Sequence, residues 1–182
     1  MSKKVTNILK ILIYLFVLYL FVIPSYILLL PTIPIYDNKE VEQVKEHVKS
    51  RTIKDIELFK LTDQSVVKLY KNYVAETEEE LYKLESRVNI VVTILKYLIN
   101  RPRPYQLEEI NNLDSNTDKS PSMPAGHAFQ AYYLSKVLSK KYPEKKEILD
   151  KLAKDCELVR VKAGIHYPSD GKLSKYIVDN FY

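Results

Sequence analysis

Apolar residues recur every three or four positions along most of the chain, and this spacing is that of one face of an α-helix. The clearest example follows Thr77, which precedes three glutamates and so forms a capping box with acidic residues in the first turn. Pro102 and Pro104 cannot continue a helix, so this helix is predicted to end near Asn100. Eight residues form its apolar stripe, which is predicted to be buried: Leu81, Leu84, Val88, Val91, Val92, Leu95, Leu98 and Ile99.

The same pattern predicts helices on both sides of this one. No alternating stretch is long enough to indicate a sheet, and nothing before Gly126 requires a glycine turn. A long polar loop over residues 105–122 is of a kind that is often functional. The fold class is therefore predicted to be all-α, a helical bundle over residues 37–182. Thr52 is predicted to cap a helix that runs to about Val74 with a break near Thr62-Asp63. The other predicted helices are 39–49, His127 to Tyr142, Pro143 to about Lys162, and about Ser169 to Asp179.

Residues 11–30 differ from the rest of the chain because they contain no charged residue. About 20 residues that rise ~1.5 Å each cover the roughly 30 Å core of a bilayer. A cleaved signal peptide would have a shorter apolar region, of about 7 to 15 residues, and a small-residue cleavage site. Here the run ends in P-T-I-P-I-Y-D. The sequence therefore predicts an uncleaved transmembrane helix, with a tip and anchor over 1–36 and a domain over 37–182.

The charges that flank this segment predict its orientation. Lys3, Lys4 and Lys10 precede it, whereas residues 37–40, which carry charges of both signs, follow it. Positive residues favour the cytoplasmic side of a membrane. We therefore expect a single-pass membrane protein with a cytoplasmic N-terminus and an extracytoplasmic or lumenal domain.

Composition excludes some classes of partner. The net charge is +5 from 28 basic and 23 acidic residues, and this excess is too diffuse to indicate nucleic-acid binding. It favours approach to an anionic membrane or substrate. Cys156 is the only cysteine, so no intrachain disulfide can form, and it is interpreted as a small buried hydrophobe. The sequence leaves a homo-oligomer open.

The first of three stretches that carry candidate chemistry is K-Y-L-I-N-R-P-R-P, residues 96–104. Lys96 lies at the edge of the apolar stripe, where a lysine usually extends its ammonium group to solvent. Arg101 and Arg103 are each followed by a proline, which favours an extended backbone. The alternative for this arginine pair is a solvated basic turn.

The second stretch is P-S-M-P-A-G-H, residues 121–127. Backbone N–H groups of a loop that enters a helix bind phosphate readily. His127, in the first turn of the predicted helix, could protonate a leaving oxygen of a bound phosphate ester. The alternative is an ordinary first-turn histidine. The histidine at position 47 lies in a charged helix and is predicted to be on the surface.

The third stretch is R-V-K-A-G-I-H-Y-P-S-D-G, residues 160–171. A histidine acts as a nucleophile when one ring nitrogen is deprotonated and a carboxylate holds the other. Asp170, four residues after His166, could supply that carboxylate. Arg160 lies beside the apolar face of its predicted helix, and an arginine directed to the core requires an anion.

Together the three stretches resemble the signature of the type 2 phosphatidic acid phosphatase superfamily. This group also contains bacterial non-specific acid phosphatases and vanadium haloperoxidases. Its pattern is K-x6-R-P, P-S-G-H and S-R-x5-H-x3-D, of which nine of eleven specified positions match over about residues 90–171. The predicted helix that runs into Arg160 makes the layout most similar to that of class A non-specific acid phosphatases.

The resemblance implies a metal-independent phosphatase, without a cofactor, that works through a phosphohistidine. His166 would attack phosphorus, Asp170 would hold its other ring nitrogen, and His127 would protonate the leaving oxygen and then activate water. The residues implied to bind phosphate are Lys96, Arg103, Arg160, Gly126 and, at the position of the family serine, Ala125. The substrate would be a soluble phosphomonoester or a lipid phosphate or pyrophosphate.

Two positions depart from the family pattern, since Ala125 and Val159 stand where the family has serine. Loss of one hydrogen bond to a charged oxygen costs about 1.5–3 kcal/mol, which slows an enzyme without abolishing its activity. Two other interpretations remain. One is a vanadium-dependent haloperoxidase, and the other is a catalytically weak, membrane-anchored helical protein that binds an anion.

Overall fold

The computed structural model describes residues 10, 11, 13–16 and 38–182 of the chain. The chain divides into two compact units, residues 1–34 and 35–182. The described residues of the first unit are helical. Most of the predicted anchor, at 11–30, lies outside the described residues and stays a prediction. Within the part that is described, none of the helices combines the length and the apolar character needed to cross a bilayer.

The regular secondary structure in the described part of the second unit consists of helices without strands, which confirms the all-α prediction. Short turns and one long loop connect its helices. They are α1 (Asn38–Lys49), α2 (Ile53–Thr62), α3 (Val67–Tyr70), α4 (Glu78–Ser86), α5 (Asn89–Ile99), α6 (Pro104–Leu107), α7 (Gly126–Lys141), a 3-10 turn (Pro143–Lys145), α8 (Lys146–Lys162) and α9 (Pro168–Phe181).

Two helices begin at the capping residues that the sequence predicts. The Thr52 hydroxyl accepts a hydrogen bond from the Asp55 N–H, and the Asp55 carboxylate accepts one from the Thr52 N–H at 2.8 Å. Thr77 and Glu80 exchange the same pair of bonds at the start of α4. These reciprocal bonds satisfy amides that have no partner inside the helix.

The prediction of one buried helix from Thr77 to Asn100 is wrong. The chain breaks at Arg87-Val88, so that α4 and α5 are separate helices. Val88 and Val92 are buried, but Leu98 on α5 is 48 % exposed. Because α5 changes direction, only the side that faces α7 is covered, and the apolar residues on its other side face solvent. These exposed residues are Ile90, Val91, Ile94, Tyr97 and Leu98.

The core lies around α7, which packs against α4, α5, α8 and α9. Small residues allow close helix contacts here. A Cβ atom at Gly171 would overlap the side chain of Glu157, so the absence of a side chain lets α9 approach α8. Cys156 is fully buried in this core, as predicted. The largest buried side chains of α7 are Phe129, Tyr132, Tyr133, Leu134 and Leu138.

The packing brings four helix ends to one side of the domain. They are the C-terminal ends of α5 and α8 and the N-terminal ends of α7 and α9. The long loop between α6 and α7 lies against them, since the Leu113 N–H donates to the Ala163 carbonyl at 2.8 Å. Helix N-termini carry partial positive charge, so this arrangement favours an anion where α7 and α9 begin.

Candidate active site

Residues from all three candidate stretches surround one cavity of about 160 Å³. None of the described residues that line it is a carboxylate, whereas two are cations, so the cavity favours an anionic ligand. Its lining consists of Gln64, Lys96, Arg103, Thr117, Gly126, His127, Gln130, Ile165 and His166. The described part of the chain contains no group of three or more His, Cys, Asp or Glu side chains that could hold a metal ion.

The His166 ring is held by Asp170. His166 Nδ1 lies 3.0 Å from Asp170 Oδ2, which also accepts the Tyr167 N–H at 3.0 Å. An ionised carboxylate oxygen only accepts hydrogen bonds, so the ring proton lies on Nδ1 and Nε2 carries a lone pair. Burial, followed by the charges of Arg103 and Lys96, holds the pKa of His166 well below its usual range. The ring is therefore neutral, with an unprotonated Nε2.

Asp170 is fully buried, and burial raises its pKa to about 6. Three hydrogen-bond donors oppose this effect: the His166 ring, the Tyr167 N–H and Arg101 Nη1, which lies 2.9 Å from Asp170 Oδ1. The carboxylate is thus ionised at neutral pH. The contact to Arg101 was missed by the sequence reasoning, which considered this arginine only as part of a basic turn.

Arg103 is buried rather than solvated, with 2 % of its surface exposed. Its Nη1 donates to the Ile165 carbonyl at 2.9 Å and lies 3.3 Å from His166 Nε2. Its Nε donates to the Ser120 carbonyl at 2.9 Å. Burial lowers the pKa of the guanidinium from its usual value. The alternative that this arginine belongs to a solvated turn is therefore wrong. Its guanidinium is buried and lies beside Nε2 of His166.

Lys96 is also buried, so the expectation that it extends to solvent is wrong. Its Nζ donates to the carbonyls of Pro121 at 2.5 Å and Ser122 at 3.3 Å. Burial, together with the charge of Arg103, lowers its pKa to about 7. The ammonium group is held in the cavity wall by the loop that precedes α7.

His127 also lines the cavity, and its Nε2 lies 2.9 Å from the backbone carbonyl of Asp63. A carbonyl only accepts, so the proton of the neutral ring lies on Nε2. Burial, followed by the charge of Arg160, lowers the pKa of His127 to about 3. The ring is therefore neutral, with its proton on Nε2 and a lone pair on Nδ1.

Arg160 is fully buried but is not part of the cavity lining. Its Nη1 lies 3.5 Å from the Asp63 carboxylate, and its Nη2 donates to the Phe59 carbonyl at 3.2 Å and to the Thr62 hydroxyl. The sequence predicts that an arginine directed to the core requires an anion. In the structure that anion is Asp63, which the sequence reasoning did not single out.

The start of α7 supplies backbone N–H groups, of which the first few in any helix have no partner inside the helix. Gly126 lines the cavity. Ala125 caps the helix, is 1 % exposed, and donates its N–H to the Asp170 carbonyl at 3.1 Å. Val159, the other departure from the family pattern, is buried against Phe59 and Ile165. Both departures are thus packed into the protein rather than exposed in the cavity.

Three neutral polar residues of the lining, Gln64, Thr117 and Gln130, were also missed. Thr117 lies in the polar loop over residues 105–122, whose length indicates a functional loop, so the sequence could have predicted its place near the site. Gln130 lies one turn after Gly126 on α7, and its amide donates to Asn89 Oδ1 at 2.9 Å. Isolated glutamines carry no pattern from which a sequence could predict this placement.

Comparison with known proteins assigns the chain to a family. The model of the PAP2 superfamily matches residues 87–177, which is half of the chain. The crystal structure of the first transmembrane PAP2 type phosphatidylglycerolphosphate phosphatase from Bacillus subtilis is similar at 19 % identity, with a TM-score of 0.38 over 100 % of this chain and 96 % of that one. No curated protein matches the chain. The matched residues contain all three stretches that meet at the cavity, and the chain belongs to the PAP2 superfamily.

Proposed function

We propose that the protein is a metal-independent phosphatase that hydrolyses phosphomonoesters or lipid phosphates or pyrophosphates through a phosphohistidine on His166. Membership of the PAP2 superfamily supports phosphatase activity in broad terms. The observation that carries the finer proposal is the state of the His166 ring. Its Nδ1 is bound to Asp170, and its unprotonated Nε2 lies beside the Arg103 guanidinium.

In the first step His166 Nε2 attacks phosphorus. The N–P bond forms as the bond from phosphorus to the ester oxygen breaks, and the proton on Nδ1 stays hydrogen-bonded to Asp170. The ring then carries a positive charge, which the buried carboxylate stabilises. The low pKa of His166 supports this role, because the nitrogen needs no prior deprotonation.

His127 supplies a proton to the leaving oxygen. Its Nε2–H is held by the Asp63 carbonyl, so Nδ1 is the nitrogen available to a substrate. Burial lowers its pKa to about 3, and a phosphate dianion beside it would raise that value because the negative charge favours the protonated ring. The protonated Nδ1 then gives its proton to the oxygen that leaves.

In the second step the same nitrogen of His127 takes a proton from water. The water oxygen bonds to phosphorus as the N–P bond breaks, which releases inorganic phosphate and restores His166 Nε2. One histidine thus serves as acid in the first step and as base in the second. The transferred phosphoryl group and the water together supply all the atoms of the inorganic phosphate.

Charge on the phosphoryl oxygens would be stabilised by Lys96, Arg103 and the Gly126 N–H, since phosphoryl transfer depends mainly on positioning and charge neutralisation. Arg160 requires one further step. Its guanidinium contacts Asp63, so on phosphate binding it must exchange part of that contact for a phosphate oxygen. With that exchange Arg160 becomes the third cation of the phosphate site.

The predicted anchor at residues 11–30 supports a location at a membrane, with the domain on the extracytoplasmic or lumenal side. A site kept near a bilayer suits a lipid phosphate. The small, polar cavity suits a soluble phosphomonoester equally well, because it needs to enclose only the phosphoryl group.

The test is release of phosphate by the full chain from an aryl phosphate and from a short-chain phosphatidic acid, each with a chelator present. His166→Ala is the test variant, and His47→Ala is the matched control because His47 lies on α1, outside the cavity. We expect turnover that resists the chelator, persists in the control and is lost in His166→Ala by at least about 10³-fold. Halide oxidation that begins when vanadate is added would instead indicate the haloperoxidase.

A further inference from the structure

We propose that Arg101 and Glu40 are positioning residues for His166 and act on it through Asp170. This inference rests on the proposed role of His166 as the nucleophile. Neither residue lines the cavity, so neither can touch a phosphate there. Their effect must reach the reaction through the carboxylate that holds the histidine ring.

The contacts form a continuous chain from the reactive ring to the first helix of the domain. His166 Nδ1 contacts Asp170 Oδ2 at 3.0 Å, and Asp170 Oδ1 accepts from Arg101 Nη1 at 2.9 Å. Arg101 Nη2 then donates to Glu40 Oε2 at 2.7 Å. The two oxygens of Asp170 therefore bind different partners, since Oδ2 accepts from His166 and Oδ1 accepts from Arg101.

Asp170 needs this cation because a fully buried carboxylate is costly unless it is paired. In the described part of the chain, Arg101 is the cation that forms an ion pair with it. This contact fixes the plane of the carboxylate and so the direction of the hydrogen bond to His166. It also favours the ionised form, which is the form that accepts from the ring.

Arg101 is itself buried, and Glu40 holds its other side. Glu40 Oε2 accepts from Arg101 and from the Ser169 hydroxyl at 2.9 Å, while Oε1 accepts the Ser169 N–H at 2.6 Å. Ser169 also accepts from Arg101 Nη1 at 2.5 Å. Glu40 thus secures both the arginine and the start of α9, on which Asp170 lies.

A planar guanidinium suits this place better than an ammonium group. Arg101 uses two different nitrogens for two carboxylates, and its plane lies over the Tyr167 ring at 3.8 Å from the centroid. A lysine has one nitrogen and cannot span both carboxylates while it stacks on the ring. Arg101→Lys should therefore keep the positive charge but lose the simultaneous contact with both carboxylates and the stacking on Tyr167.

The test measures kcat, KM and the pH dependence of kcat in Glu40→Gln, Arg101→Lys and Arg101→Met. Glu42→Gln, on the exposed side of α1, and Arg87→Met, on the surface, are the matched controls. We expect kcat to fall about 10- to 100-fold in the Glu40 and Arg101 variants, with KM within about twofold of the unaltered protein. The two controls should leave both constants unchanged.

The pH profile separates positioning from a merely structural role. The groups that face Asp170 are Arg101 and Lys96, whose charges lower its pKa, the Tyr167 N–H, which also lowers it, and the neutral His166 ring. Without the Arg101 charge the pKa of Asp170 rises, so the acid limb of the profile should move to higher pH in Arg101→Met. An acid limb that stays in place in every variant, or a change in KM without one in kcat, would overturn the proposal.

A second measurement does not depend on turnover. The titration of the Asp170 carboxyl, followed by ¹³C NMR in the full chain, should move to higher pH in Arg101→Met and stay in place in Arg87→Met. If the unaltered protein releases no phosphate, the proposed function fails, and this titration still decides whether Arg101 controls Asp170. Circular dichroism establishes that each variant is folded, and Glu40→Gln remains decisive if Arg101→Met does not fold.

Discussion

The guanidinium of Arg160 lies 3.5 Å from the carboxylate of Asp63, within the protein and outside the cavity lining. The backbone carbonyl of the same aspartate holds His127 at 2.9 Å. The Asp63 carboxylate therefore forms an ion pair with Arg160, the arginine that the family pattern assigns to phosphate. The backbone carbonyl of Asp63 holds the Nε2 proton of His127, the proposed acid. A phosphate that enters the cavity must compete with this carboxylate for Arg160.

Asp63→Asn should make phosphate a stronger stabiliser of the fold. The substitution leaves Arg160 without its anion and should lower the free energy of unfolding by about 1–3 kcal/mol in the absence of ligand. Bound phosphate then replaces the lost partner, so the rise in Tm with added phosphate should be larger than in the unaltered protein. Asp114→Asn, on the exposed part of the loop, is the control. Equal phosphate-induced shifts in all three proteins would contradict competition at Arg160.

Lys96→Met should stabilise the protein most below about pH 7 while it removes activity. The pKa of Lys96 is lowered to about 7, so between pH 7 and 10.5 the unfolded chain binds a proton that the folded chain lacks. The free energy of unfolding of the unaltered protein therefore rises with pH over this window, by up to about 1.4 kcal/mol per pH unit. Methionine cannot titrate, so its stability advantage should shrink from pH 6 to pH 9.

The measurement is denaturant unfolding at both pH values, with kcat/KM measured beside it. Lys83→Met is the control, because the Lys83 side chain is 70 % exposed. A difference in stability between Lys96→Met and the unaltered protein that does not change with pH would show that Lys96 stays charged when buried.

Ala125→Ser tests whether the first departure from the family pattern limits the rate. A serine at the cap of α7 should stabilise the helix by about 1 kcal/mol, because its hydroxyl can accept from a first-turn amide. A hydroxyl bonded to a phosphoryl oxygen would raise kcat/KM about 10- to 100-fold. Ala125 is 1 % exposed and lies outside the cavity lining, so kcat/KM should stay unchanged. A higher Tm with unchanged kcat/KM would mean that the hydroxyl serves only as a cap. Ala75→Ser, at an exposed position, should change neither quantity.

Gly164→Ala should destabilise the segment that leads to His166. Gly164 has a φ of +76°, and an added Cβ would lie 2.9 Å from Ile110 Cγ2 and 3.1 Å from Asn112 Cα. The left-handed backbone alone costs a non-glycine residue about 1–2 kcal/mol. Gly126→Ala is the matched control for stability, because its Cβ would meet Val92 and Lys96 at ordinary distances of 3.5 and 3.7 Å. Thermal unfolding should show a lower Tm for the first variant only, and equal Tm values would contradict the strain at Gly164.

Local signals in the sequence were sufficient for several elements. Thr52 and Thr77 each form a capping box with a residue three positions later, so the start of the helix follows from adjacent residues. Asn100 adopts a left-handed conformation that ends α5 just before the prolines. These features depend on few neighbours, and the sequence predicts them correctly.

Contacts between distant residues could not be predicted in the same way. Arg101 meets Asp170 across 69 positions and Glu40 across 61, and Asp63 meets Arg160 across 97. Each pairing depends on how the helices pack. The break at Arg87-Val88 could not be predicted either, because the apolar periodicity continues through it.

The resemblance groups the motif residues without any information about their packing. Five of the eight site residues line the cavity: Lys96, Arg103, Gly126, His127 and His166. Asp170 and Ala125 lie outside the lining, where the Ala125 N–H donates to the Asp170 carbonyl at 3.1 Å, whereas Arg160 lies apart with Asp63. Apolar periodicity alone predicted that Lys96 extends to solvent, and a solvated turn was the alternative for Arg101 and Arg103, but all three are buried. The pattern of motifs therefore carried more information than hydrophobicity.

The most direct test of the account is to trap the proposed intermediate. The full chain is mixed with a ³²P-labelled phosphomonoester in the presence of a chelator and quenched in alkali within one turnover. We expect a protein-bound label that is stable in alkali and labile in acid, that maps to the peptide containing His166, and that is absent from His166→Ala but present in His47→Ala. Turnover without any label at this position, or with label retained in His166→Ala, would contradict a phosphohistidine at His166.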